Sequence, residues 1–266
     1  MTENLYNKAK ALKKATYEYE FSICTLVTRK DEYNEMVDSF QRSGFTDDIC
    51  EFIYADNTKS NLFDAYEAIN YFLRQANGKY IILCHQDILI NKDNVADLKK
   101  RLSDLDIKDQ NWAICSNSGA AGPNHVVYHI SYPDGSFMNK GKFPLKVSAI
   151  DENFILVKNE AFLKVSNDLK GFHLYGTDLC LQAELNGYSA YVIPFNLTHK
   201  SLGNKNEEFY VIRKKLISKY DDFFRNRWIQ TNVSIFYLSG SIFKLFYGNS
   251  ITLFFARIFN GIKKKI

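Results

Sequence analysis

The chain has 266 residues, of which 46% are apolar and 24% charged. That suits one large folded α/β domain, or a domain with a tail. Its 34 basic and 30 acidic side chains leave +4 at pH 7, too mild a charge for a nucleic-acid footprint.

Residues 1–20 are polar and charged, with weak helical character. FSICTLVT (21–28) is a short apolar run rich in β-branched residues, which predicts a buried strand. Tyr33, Met36, Val37 and Phe40 then recur at helical spacing over 31–43, with Gly44 as the stop. CEFIYAD (50–56) predicts a second strand. Residues 61–76 predict an amphipathic helix, with Leu62, Ala65, Ile69, Phe72 and Leu73 on one face and Gly78 ending it. KYIILCHQD (79–87) predicts a third strand, 94–105 a helix and WAICSNSG (112–119) a fourth strand. This β-α-β-α-β-α-β order predicts a mostly parallel sheet with helices on both faces. Residues 120–150 are irregular, with a hairpin near VVYHISYPDGSF. A strand and helix follow in 152–162, a helix in 177–186 ended by Gly187, and a strand in 189–194. NLTHKSLGN reads as a loop and 206–231 as a helix.

In such sheets, ligands bind beyond the C-terminal ends of the strands. His85-Gln86-Asp87 ends the most apolar strand, and side chains at i and i+2 of a strand share a face. His85 and Asp87 are therefore candidates for one site. Asp87 either holds a divalent cation that neutralises a diphosphate or caps the next turn. His199 is a metal ligand or a hydrogen-bonded structural residue; an imidazole ligand favours Mn²⁺ somewhat over Mg²⁺. Asp178 opens a helix, where the helix dipole stabilises a carboxylate; the same place can present a general base. Asp56 and Asn57 either hydrogen-bond a nucleoside or form an Asx turn. The Asp151-Glu152 pair faces an acceptor or is a solvated strand end.

These segments occur in an order that resembles glycosyltransferase family 2, in its bacterial branch with a His-x-Asp metal motif. The matching stretches are SICTLVTR, YADNTKSNLFDAYEAINYFLRQANGKYIILCHQDI, ENFILVKNEAF, GFHLYGTDLCLQAELNGY and VIPFNLTHKSLG, spanning about residues 20–204. The resemblance implies a GT-A fold over 21–205 and an inverting transfer from a nucleotide-diphosphate sugar to a glycan or lipid-linked acceptor. It implies Mn²⁺ or Mg²⁺ on Asp87, with His199 completing the metal or phosphate site. Thr25, Val27, Arg29, Asp56, His85, Gln86 and Asp87 are the implied donor residues, and Asp178 is the implied base. Many relatives carry Asp-x-Asp or Glu-Asp-x-Asp here, whereas this chain has Gly176-Thr177-Asp178. Glu152 and His173 therefore stand in reserve as bases and, with Asp151, on the acceptor side. A catalytically inactive, transferase-like scaffold is the alternative that the missing acid leaves open.

The region 206–266 forms the expected helical tail. Residues 233–262 are strongly apolar but are broken by Gly240, Lys244, Asn249 and Arg257, so no run reaches the ~18 residues of a membrane span. Ile251, Phe254, Phe255, Ile258 and Ile262 share a helical face beside Arg257 and Lys263 to Lys265. That pattern fits a helix lying on an anionic membrane, or a helix packed on the domain or on another copy. The five cysteines include no Cys-x-x-Cys and read as buried hydrophobes in a reducing compartment. The N-terminus has no apolar core of a secretory signal. The expectation is a cytoplasmic protein, peripheral on the inner face of the cell membrane.

Overall fold

A computed structural model describes residues 9–201, 203 and 206–263. The chain divides into two compact units, Met1–Ile212 and Arg213–Ile266. Residues 10–17 form no helix, contrary to the weak helical pattern read there; the first eight residues lie outside the described ones.

The first unit follows the predicted alternation closely. β1 (Tyr19–Val27), α1 (Lys30–Arg42), β2 (Cys50–Asp56), α2 (Ala65–Gln75) and β3 (Gly78–Cys84) come in that order. β4 (Ile88–Leu89), α3 (Val95–Lys108) and β5 (Trp112–Ser116) follow. Alternate residues of a strand face opposite sides, and both sides of β1 are covered. Phe21 and Ile23 join Met36 and Phe40 of α1 and Leu98, Leu102 and Leu105 of α3 in the main core. Cys24 and Leu26 turn toward α2.

Helix α2 begins four residues later than its apolar pattern implies. The Asp64 side chain accepts from the Tyr66 amide and so fixes the N-cap, which leaves Leu62 outside the helix and 70% exposed. Gly78 does not end the helix; it is the first residue of β3. A Cβ there would lie 2.4 Å from the Ser22 amide nitrogen, so the glycine permits close contact between β1 and β3. Its amide donates to Ser22 Oγ at 2.7 Å.

The central sheet is mixed, where the pattern had implied a mostly parallel one. β6 (Ser118–Gly122), β7 (His125–Ser131), β8 (Phe137–Lys140), β9 (Leu145–Val147) and β10 (Ala149–Ile150) form the irregular excursion, and β7 with β8 is the expected hairpin. Then come β11 (Phe154–Lys158), α4 (Tyr175–Leu185), β12 (Ser189–Val192) and β13 (Leu197–His199). The seven strands run β2-β1-β3-β11-β5-β12-β9. β11 lies antiparallel to both β3 and β5. It arrives from the strand excursion rather than through a crossover helix, and only a crossover enforces parallel pairing. The second sheet runs β10-β6-β7-β13-β4, and β13 occupies part of what reads as a loop.

α5 (Glu207–Phe224) carries the boundary between the units. The helix predicted through residue 231 stops there, because Arg227–Gln230 pairs as β14 with β15 (Ile235–Leu238). α6 (Lys244–Tyr247) and α7 (Ser250–Lys263) complete the second unit. All five cysteines are free and buried.

Candidate active site

Asp87 and His199 lie far apart in sequence, and a short strand pairing brings them together. β13 runs antiparallel to β4, with His199 opposite Ile88, and the Lys200 amide donates to the Asp87 carbonyl at 2.9 Å. His199 Nε2 is thereby 3.4 Å from Asp87 Oδ1. β3 stops at Cys84, so His85 and Asp87 sit in a turn rather than on a strand face. They still converge, with His85 Nδ1 3.9 Å from Asp87 Oδ1. One ligand atom from each of His85, Asp87 and His199 lies within 4.8 Å of the other two.

Hydrogen bonds and neighbouring charges set the state of these side chains. The Tyr175 hydroxyl lies 3.1 Å from His85 Nε2 and 3.4 Å from the Glu152 carbonyl oxygen, which leaves Nδ1 on the side of Asp87. Burial alone raises the Asp87 carboxyl pKa, but the hydrogen bond and charge of His199, with His85 and Ser201, hold it well below the usual carboxylate range. Burial and the neighbouring His199 push the His85 imidazole down, toward its neutral, ligating form. Two imidazoles and a carboxylate make a donor set suited to a borderline divalent ion.

Beside this group lies a cleft of about 290 Å³. Cys24, Leu26, Ala68, Ile69, Phe72 and Leu83 line its apolar part, and Thr28, Arg29, His85, Gln86, Asp87 and Tyr175 its polar part. The small side chains of α2 leave this space against the sheet. Arg29 borders it with a half-exposed guanidinium paired to Glu32 at 2.5 Å.

The other expected donor residues are placed differently. Thr25 and Val27 have the opposite strand parity to the cleft-lining Cys24 and Leu26. Both are buried, and the Thr25 hydroxyl meets Cys84 Sγ at 3.4 Å. Gln86 borders the cleft, but its amide group is engaged: Oε1 accepts from the Thr28 and Arg29 amides at 2.9 Å each, and Nε2 donates to Thr28 Oγ1. It clamps the end of β1. Asp56 forms the Asx turn, with Oδ1 accepting from the Thr58 amide and hydroxyl, and the hydroxyl bond leads in lowering its pKa.

Asp178 is fully buried. Its oxygens accept from the Ser166 amide at 2.7 Å and the Ser166 hydroxyl at 2.8 Å. It ties down the segment before α4 and presents no oxygen to solvent. The Glu152 carboxylate stands at the start of α4, beside Gly176. The N-cap of α4 is Leu174, which provides no capping side chain. Glu152 Oε1 accepts instead from the Gly176 amide at 3.2 Å, and the Leu174 and Tyr175 amides also favour its charge. Burial outweighs these amides and, with Asp151 nearby, pushes the carboxyl pKa up to about 8. A Cβ on Gly176 would meet the Ile150 carbonyl oxygen at 2.9 Å and Glu152 Cγ at 3.2 Å. No acidic side chain fits at position 176, and a carboxylate from residue 152 stands next to it. Asp151 is exposed and caps the Asn153 amide. His173 Nε2 contacts Asn206 Oδ1 at 3.2 Å.

Tyr175 was not singled out from sequence. Its only signal was membership of the GFHLYGTD stretch, and its link from His85 to the Glu152 backbone is visible only in three dimensions.

No family model matches the chain. A protein of Fuscovulum blasticum called ATP synthase subunits region ORF 6 is 35% identical over 213 residues, covering 78% of this chain and 86% of that protein. The crystal structure of S. aureus TarS 1-349 has a TM-score of 0.50 and 14% identity over 76% of this chain and 66% of that one. A second S. aureus TarS structure has a TM-score of 0.48, with 13% identity and 40% of its chain covered. The chain thus spans slightly under two thirds of the TarS 1-349 structure. At this identity the likeness speaks for the fold, which is the mixed α/β architecture of TarS 1-349.

Proposed function

We propose that this chain, which belongs to the same family as the Fuscovulum blasticum protein called ATP synthase subunits region ORF 6, is an inverting glycosyltransferase. The observation that carries the reading is the His85-Asp87-His199 group at the C-terminal end of β3, beside a cleft, on the fold of the TarS glycosyltransferase. Ligands of open α/β sheets bind at that end.

In this reading the donor is a nucleotide-diphosphate sugar. His85, Asp87 and His199 hold a divalent cation, with Mn²⁺ favoured by the two imidazoles. When bound, the cation neutralises charge on the departing diphosphate. Arg29 offers a further positive charge to a phosphate at the cleft rim. Gln86 keeps the Thr28–Arg29 backbone in place, and Tyr175 keeps the His85 ring in its ligating orientation.

Glu152 is the general base. It accepts the proton of an acceptor hydroxyl as that oxygen bonds to the anomeric carbon. The bond from that carbon to the donor phosphate breaks on the opposite side, so one displacement inverts the configuration. With its pKa raised to about 8, Glu152 takes this proton in its ionised form, so transfer rises with pH up to about that value, and the proton then passes to solvent. The acceptor is a hydroxyl of a glycan or a lipid-linked glycan. The inactive-scaffold alternative draws on the missing acid at position 176, and Glu152 beside Gly176 supports the catalytic reading over it.

The test is thermal stabilisation by a panel of nucleoside diphosphates and nucleotide-sugars, with and without Mn²⁺. A ligand that binds the folded state at 100 times its Kd adds ~2.7 kcal/mol. One nucleotide should raise the melting temperature only with Mn²⁺, and Asp87→Ala should abolish that increment. Absence of any nucleotide effect on folded protein, or an increment undiminished in Asp87→Ala, refutes the assignment.

A further inference from the structure

We infer that the second unit, Arg213–Ile266, is a docking surface for an anionic lipid bilayer. This goes beyond the catalytic reading and does not depend on it.

Charge is strongly segregated along the chain. Residues 213–266 contain eleven Lys and Arg against two acidic residues, Asp221 and Asp222, for a net +9. With +4 for the whole chain, the 212 residues before them carry −5. Such an asymmetry points to a polyanionic partner for one part only.

The same unit exposes large apolar side chains in contiguous stretches. On α7, Ile251, Phe254, Phe255 and Ile258 recur at helical spacing, and all are exposed, Ile251 at 70%. Thr252 and Leu253, on other sides of that helix, are only partly exposed. On α6, Phe246 is 71% exposed. The β14–β15 hairpin and α6 are joined by an aromatic cluster, with Trp228 to Tyr237 ring centroids at 5.1 Å and Tyr237 to Tyr247 at 6.2 Å. Lys244 and Arg257 lie on the same helices as the exposed rings. Lys264 and Lys265 belong to the charge count but lie outside the described residues.

An apolar helix face beside a dense positive charge has few compatible partners. A second copy would bring a second +9 against the first. A bilayer crossing is excluded for the described helices, none of which is long and apolar enough. A surface-lying helix needs an apolar face, basic flanks and interfacial aromatics, and anionic headgroups supply the opposite charge. Trp and Tyr favour the headgroup level, where one end of the ring is apolar and the other wet.

The experiment is flotation of the full-length protein with vesicles of phosphatidylcholine alone, and with about one third phosphatidylglycerol, at low and high salt. Binding to the anionic vesicles should exceed binding to neutral ones by about tenfold or more and weaken at high salt. Phe254→Ser with Phe255→Ser should reduce it by about tenfold, since burial of aromatic area drives insertion. Lys244→Glu with Arg257→Glu should reduce it while leaving the apolar face intact, which keeps the inference testable if the first variant fails to fold. Equal binding to both vesicle types, or none, overturns the inference. So does concentration-dependent dimerisation in solution that the Phe254/Phe255 variant abolishes, which would assign the face to a second copy.

Discussion

Replacing Glu152 with glutamine should change how stability depends on pH, by an amount that follows from where the carboxyl sits. An unfolded glutamate titrates near 4.5, whereas burial raises the Glu152 carboxyl to about 8 in the fold. Between these values the folded state holds a proton that the unfolded state has lost. Stability from this group is therefore complete below about pH 4.5 and is lost as pH rises to 8. At about 1.4 kcal/mol per pKa unit, the separation sets a ceiling of roughly 5 kcal/mol. Glu152 is partly exposed, so solvent screening reduces this to about 2–3 kcal/mol. Glutamine retains an oxygen for the Gly176 amide but cannot ionise. Urea unfolding of wild type and Glu152→Gln from pH 5 to 9 measures the difference directly. The variant should gain about 2–3 kcal/mol on wild type over that range, since it escapes the cost of ionisation. Parallel stability curves would refute the argument, because they would mean the carboxyl is not held protonated by the fold. They would also remove the physical basis for Glu152 as a base poised near neutral pH.

Asp178→Ala should cost about 3 kcal/mol, because it leaves the buried Ser166 amide and hydroxyl without their carboxylate; chemical denaturation checks this. In the same variant, Mn²⁺-dependent nucleotide binding should persist at temperatures where it is folded, and its loss there would argue for a direct role of Asp178 in the site. Gly78→Ala should cost about 2–3 kcal/mol, since the new methyl meets the β1 backbone rather than a flexible side chain. A neutral result in a melting experiment would mean that β1 and β3 can separate at no cost.

Much of the fold is legible in the residues because each element carries its own local signal. FSICTLVT and KYIILC are apolar runs of strand length, and both are central strands. Met36 and Phe40 sit at helical spacing, and both are buried on α1. Asp64 marks the start of α2 where the apolar pattern begins before it, since a cap fixes a helix end more firmly than periodicity does. The antiparallel course of β11 could not be read, because strand direction depends on how the chain returns to the sheet. The short β4, β13 and β14 carry too few residues for a periodic signal.

The site divides along the same line. The sequence by itself determined the chemical inventory: a His-x-Asp at the end of the most apolar strand, a distant histidine, and the acidic residues Asp151, Glu152 and Asp178. It determined that positive charge and aromatic residues concentrate from residue 213 onward. Tertiary structure alone decided which of these groups meet. Pairing of β4 with β13 places His199 against Asp87, a contact that no spacing encodes. Strand parity turns Thr25 and Val27 away from the cleft-lining side of β1. The loop before α4 seals Asp178 against Ser166, while the turn after β10 brings Glu152 to Gly176. A carboxylate's role depends on the water and donors around it, and those are set by residues far away in the chain.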